Sequence, residues 1–322
     1  MGVAPLGAAQ LLSSWAVHPV WALVVVGLVG GYLAAVHRLR RRSRRWPAGR
    51  TAFFLVGVVV LAVATMGWCA VYGRVLFWVE AAQVLAVLLV VPLLLALGAP
   101  VSLLRSAAPA RIGRPVDRLL DRGPVRIVTY PVLGPLFVVV VPFTLYFTPL
   151  DAATLRSGTA RELLLAVLLL VGFVLAYPLG EGGLNPGRFS YPLAMFVAFL
   201  ELLLDAFPGI VLRYRTGLLG GGYWTSLHRG WGPTPLVDQQ HAGALWWFFG
   251  EAWDLPLLLL LLVGWMRADH REAVAVDTAL DAAHTAARAR PAQQHTDGSP
   301  RGPEDVEFDE NGMIIPWWHT RR

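Results

Sequence analysis

The 322-residue chain has no lysine and a single cysteine, Cys69. One cysteine excludes an intrachain disulfide, a zinc ribbon and a Cys-x-x-Cys thiol centre. Charge is scarce: 15% of the residues are charged, against about 25% in soluble domains. No internal repeat of fixed period is visible. There is no nucleophile motif, no His-Glu-x-x-His helix and no Gly-rich phosphate loop set between a strand and a helix. These absences argue against an enzyme, and the arginines read as loop residues of a membrane protein, which excludes soluble nucleic-acid binding.

What the chain has is apolar residues, 56% of the total, and 27 arginines as its only Lys/Arg-type cations. A helix needs about 20 mostly apolar residues to cross a bilayer. Seven stretches qualify, at 17–36, 51–71, 75–97, 127–147, 161–179, 190–212 and 241–266. The expected fold is an all-α integral membrane protein, a seven-transmembrane-helix bundle occupying residues 1–266. The first stretch has span length and runs straight into arginines, so it reads as a span and not a signal peptide. Twenty-one arginines fall on the segments 37–50, 99–126, 180–189 and beyond Met266, and six fall on the other side. The positive-inside rule then puts the N-terminus outside and the C-terminus in the cytoplasm. Residues 267–290 read as a cytoplasmic helical extension and 291–322 as a disordered tail. All-arginine usage fits a G+C-rich bacterial genome, so the expected location is a bacterial cell membrane, crossed several times.

Ionisable groups inside spans are costly and mark function by default. Here they are Glu80, Glu162, Glu201, Asp205, Glu251 and Asp254, with Asp238 and His241 at the outer mouth of the last span. At a rise of ~1.5 Å per residue, Glu80 lies roughly 8 Å below the outer surface. Met66 and Cys69, an i, i+3 pair of the second span, share that leaflet with Asp205, Asp238 and His241. Thiolate and thioether donors select Cu(I), and imidazole suits copper and zinc. One reading is an outward-facing copper site built from Met66, Cys69, Glu80, Asp205 and His241. The plainer reading has Asp238 paired with Arg213 or Arg215, Glu80 bonded to Gln83 or water, and Met66 and Cys69 filling the core. Pro92 and Pro142 should kink their spans, and Pro208-Gly209 could open a gap beside Asp205, a simple kink being its plainer use.

Four segments, in order, resemble the CtaG-type cytochrome c oxidase assembly factors, which are seven-span bacterial membrane proteins. "FWVEAAQVLAVLLVVPLLLALGAP" (77–100) is similar to that family's third span, and "FTPLDAATL" (147–155) to its fourth-span exit. "PLVDQQHAGALWWFFGE" (235–251) is similar to its most recognisable motif, carried here by Asp238, Gln239, Gln240 and Gly243. "WMRADHREAVAVD" (265–277) resembles the helix that follows the last span. The departures concern histidine. A His-Met-x-x-His run in the family is here Glu80-Ala81-Ala82-Gln83-Val84, and a His-x-Pro is Phe147-Thr148-Pro149. The fifth-span entry, "SGTARELLL", has Glu162 and no histidine, while His241 stands where the family has an apolar residue. The resemblance implies a membrane accessory factor for assembling a haem–copper cytochrome c oxidase, with copper delivery or retention at the outer face. Its partners would be an oxidase subunit or another membrane assembly factor, within the lipid bilayer. The alternatives are a metal-free scaffold for an oxidase subunit and a proton or ion transporter using Glu80, Glu201, Asp205 and Glu251.

Overall fold

The computed structural model describes residues 3–107, 133–181, 191–289, 307–308 and 314–315. Within them the chain is helical, apart from a two-residue antiparallel pair of Glu307–Phe308 with Ile314–Ile315. It divides into the units Met1–Trp265 and Met266–Arg322.

The first unit opens with α1 (Ala8–Ser13), α2 (Pro19–Arg41) and α3 (Ala48–Met66). Next come α4 (Trp68–Tyr72) and α5 (Phe77–Leu85), then a π-helical turn, Ala86–Val90, leading into α6 (Val91–Leu97) and α7 (Pro100–Ala107). The remaining helices are α8 (Leu133–Tyr146), α9 (Leu150–Arg156), α10 (Gly158–Glu181), α11 (Tyr191–Tyr214), α12 (Tyr223–Ser226) and α13 (Pro235–Ala289). α13 runs on past Trp265 into the second unit.

Among the described residues, four stretches are long and apolar enough to cross a membrane: Pro19–Arg41, Ala48–Tyr72, Phe77–Ala107 and Gly158–Tyr177. The expected spans at 127–147, 190–212 and 241–266 lie partly on residues or side chains outside those described. The helices are apolar outside as well as inside. Val20, Leu23 and Val26 line an exposed strip of α2, Phe53, Val56 and Val59 one of α3, and Leu163, Val167 and Leu170 one of α10. Their spacing of three and four residues makes each strip a continuous face, and lipid is the solvent in which such faces are stable.

Two prolines and three glycines shape the packing. Pro92 has no N–H to give to the preceding turn, and the chain answers with the wider π turn that ends two residues earlier at Val90. α10 presses Gly172 against that turn: a Cβ there would stand 2.0 Å from the Leu88 carbonyl oxygen and 2.6 Å from Pro92 Cγ. Gly172→Ala is therefore expected to lower bundle stability by about 1–3 kcal/mol through overpacking. Gly27→Ala on α2, where a Cβ meets nothing within 4 Å, is the neutral control. Unfolding midpoints in detergent compare the two.

At Pro208-Gly209, α11 comes close to α13. A Cβ on Gly209 would lie 2.8 Å from the Gly243 carbonyl oxygen, and one on Gly243 would lie 2.7 Å from the Gly209 carbonyl oxygen. The two glycines let the backbones of α11 and α13 touch, the usual work of small residues between membrane helices.

Candidate functional site

Glu80 sits in the first turn of α5 and is fully buried. Its Oε1 takes the Arg161 guanidinium of α10 at 2.7 Å, and its Oε2 accepts the Tyr146 hydroxyl of α8 at 2.8 Å. Arg161 uses its other arm on Gln83 Oε1 at 2.6 Å. Glu80 and Gln83 are three residues apart and share a helix face, so one planar guanidinium spans both. Gln83 then donates to the Ala64 carbonyl of α3 at 2.7 Å, and Trp246 of α13 donates its indole N–H to the Tyr146 oxygen at 3.3 Å. Five helices thus meet in one buried polar network. The next residue, Glu162, faces the opposite way and accepts from the Trp21 indole of α2, with His18 at 3.4 Å.

Asp151 lies beside this network at the start of α9, also fully buried. Among the described residues, neither of its carboxylate oxygens meets a hydrogen-bond donor, and the buried Trp224 Nε1 of α12 meets no acceptor. Burial, and then the charge of Glu80, push the Asp151 pKa up to about 8, with Arg161 pulling the other way. Tyr223 is also pushed up, by burial, against the pull of Arg74 and Arg161.

A second cluster fastens the loop before α13. Asp238 accepts the backbone N–H groups of Phe77 at 3.0 Å and Trp78 at 3.2 Å. These are first-turn donors of α5, and Leu76 at its N-cap supplies no side-chain cap. Arg229 pairs with Asp238 at 3.2 Å, donates to the carbonyls of Val75 and Pro233, and lies over the Trp231 ring. The partner of Asp238 is thus Arg229, not the expected Arg213 or Arg215. Those two lie nearer in space to Gln240 and Phe147: Arg213 donates to the Gln240 carbonyl and Arg215 stacks on Phe147. Gln239 receives the Leu219 N–H at 2.7 Å and donates to the Gly217 carbonyl at 3.2 Å. A cavity of about 470 Å³ opens here, walled by Phe77, Trp224, Arg229, Trp231 and Asp238 among others.

Among the described residues, those nominated for copper stand on separate elements. Met66 and Cys69 are buried, but the helix breaks between them at Gly67, so they are not an i, i+3 pair on one helix face. His241 is exposed on α13. Asp205 stands on α11, as does Glu201, and the side chains of both are outside those described. Glu251 accepts from Trp247 at 3.2 Å. No group of three or more His, Cys, Asp or Glu among the described residues is arranged to hold a metal ion. Both oxygens of Glu80 are already bonded, and the fixed cation beside them repels another. The donor set around Glu80 does not fit copper.

Arg161, Tyr146 and Asp151 escaped the sequence reading. Arg161 passed as a loop cation although a lone buried carboxylate requires a counter-charge, and only six arginines share its expected side of the membrane.

An apolar-surfaced helix bundle with a buried polar network at one end defines a membrane protein. Residues 30–268 match the cytochrome c oxidase caa3 assembly factor family, and the chain belongs to it. An uncharacterized protein of Mycobacterium leprae is 30% identical over 273 residues, covering 81% of this chain and 40% of its own length. One from Mycobacterium bovis is 28% identical over 282 residues, covering 85% and 42%. The chain therefore spans about two-fifths of the length of these relatives. No solved structure matches.

Proposed function

We propose that this chain is a membrane accessory factor in the maturation of a haem–copper cytochrome c oxidase, and that it works as a scaffold for an oxidase subunit. Family membership supports the oxidase connection. The observation that carries the scaffold reading is the bonding of Glu80. An acid that Arg161 and Tyr146 hold at both oxygens braces helices, and a guanidinium already stands where a delivered cation would have to approach. The arginine distribution supports a bundle whose Glu80 end faces outside and whose C-terminal helix is cytoplasmic. The seven-span count rests on the apolar stretches at 127–147, 190–212 and 241–266 joining the four helices already long enough. The exposed apolar strips of α2, α3 and α10 are the surfaces a partner helix would share with lipid. Such a role needs no turnover.

Deletion of the gene tests the reading. A scaffold predicts that oxidase activity and oxidase subunit abundance fall together, and that excess copper in the medium restores neither. Recovery with added copper would instead support copper delivery. The purified protein, incubated with Cu(I), Cu(II) or Zn(II) and washed, is expected to retain no stoichiometric metal, and Glu80→Ala/His241→Ala should behave alike. Stoichiometric copper that the double variant loses would overturn the scaffold reading.

A further inference from the structure

Asp151 and Trp224 carry the buried side-chain polar atoms that meet no hydrogen-bond partner among the described residues. They belong to different helices, yet a Cβ on Gly220 would lie within 3.3 Å of both Trp224 Nε1 and Asp151 Oδ2. Gly220, Gly221 and Gly222 all hold positive φ angles, of 81°, 52° and 79°. A side chain would be strained there, and at Gly220 it would also fill the space between the indole and the carboxylate. The turn is pinned by Arg156, which donates to the Gly221 carbonyl at 2.8 Å.

The chemistry of the two groups limits what joins them. An indole N–H only donates, and a carboxylate only accepts. A metal ion satisfies neither condition well, because the indole presents its positive end and the guanidinium of Arg161 stands beside Glu80. Charge adds a second limit. Glu80 and Arg161 neutralise each other. Tyr146 on α8 and Tyr223 on α12 stand within electrostatic reach of Asp151, Arg74 acts on Tyr223, and Arg156 is exposed. An ionised Asp151 would be a buried charge that no unpaired cation among the described residues matches, which is a severe cost. A proton removes that cost and gives Asp151 an O–H donor beside its remaining acceptor oxygen.

We propose that Asp151 is a proton-binding site, held as the neutral acid at neutral pH and linked to the Trp224 indole by a bridging water. The water accepts from the indole and from the acid's hydroxyl, so each orphaned group gains a partner. Loss of the proton leaves a second carboxylate competing with Glu80 for Arg161, which couples proton activity at this end of the bundle to the clasp joining α5 and α10. The elevated pKa of Asp151 agrees with this placement. A folded-state pKa above the unfolded value means that ionisation opposes folding. Stability is then greatest near and below the ordinary carboxyl value of 3.8, declines as pH rises towards about 8, and is level above that.

Infrared spectroscopy of the full chain in detergent, titrated with pH, provides the test. The expected result is a carboxylic-acid carbonyl band present at neutral pH, lost above about 8 and missing in Asp151→Asn. The unfolding midpoint of Asp151→Asn should lose the downward slope between those pH values. Trp224→Phe, which keeps the ring and removes the donor, should shift the band's frequency, and this readout serves if Asp151→Asn does not fold. The proposal is overturned by a wild-type protein with no neutral carboxyl at pH 7. It is equally overturned by a band that persists in Asp151→Asn, or by one that Trp224→Phe leaves unmoved.

Discussion

Arg161→Ala is expected to destabilise the bundle by about 3–5 kcal/mol, the usual cost of removing one partner from a buried ion pair. The guanidinium is 4% exposed and the Glu80 side chain 0%, so water cannot replace what is lost. Glu80 Oε1 and Gln83 Oε1 both lose their donor, and the nearby Asp151 loses a positive charge that acts to lower its pKa. Arg161→Lys should recover only part of the loss, because an ammonium cannot reproduce the planar fork that spans Glu80 and Gln83. The contrasting variant is Glu80→Leu/Arg161→Leu, which removes both charges and keeps apolar volume. It should recover most of the alanine loss, falling short of wild type by the partners that Gln83 Oε1 and the Tyr146 hydroxyl lose, since replacing a buried pair with hydrophobic residues is often neutral or stabilising. Denaturation in detergent gives all three values. A double variant as unstable as Arg161→Ala would mean that the charges, and not the orphaning of one of them, hold the helices together.

The membrane character was legible because periodicity, composition and arginine asymmetry are one-dimensional signals. Apolar runs such as 75–97 and 161–179 became helices that pass the length and hydropathy requirement. The identity of the site was not legible in the same way. Glu80 and Arg161 are 81 residues apart, and nothing local tells which of six arginines on that side turns inward. Arg161 and Glu162 adjoin on α10, yet one enters the core and the other meets Trp21; only the rotation of the helix decides between them. The Gly209–Gly243 contact was hidden for a related reason. Each glycine sits near a residue with a stronger signal, a proline in one case and the Asp-Gln-Gln motif in the other, and a close approach needs both helices in view. The break at Gly67 defeated the assumption of one continuous face from Met66 to Cys69. A run of apolar residues reports burial well and backbone continuity poorly.

Asp238 carries the second large expectation, and its variants separate a clasp from a ligand. Asp238→Ala should cost about 3 kcal/mol, combining a lost helix cap with an orphaned, nearly buried guanidinium. The Arg229 and Asp238 side chains are 8% and 2% exposed, although Arg229 keeps the Val75 and Pro233 carbonyls and so retains part of its bonding. Asp238→Asn keeps one acceptor oxygen for the α5 amides and loses the charge. It should fall between wild type and alanine, with the remainder of the alanine cost assigned to the cap. Amide exchange distinguishes the two contributions: Phe77 and Trp78 N–H should exchange faster in Asp238→Ala, while Leu219 N–H, held by Gln239, should not. His241→Ala, one turn further along α13 at an exposed position, should stay within about 0.5 kcal/mol of wild type. If Asp238 and His241 instead served one bound ion, their variants would change metal retention together and the α5 amides would be untouched. Faster exchange confined to α5 assigns the Asp-Gln-Gln motif to fastening the loop before α13 onto the Glu80 helix, where its position sets the register of the whole buried network.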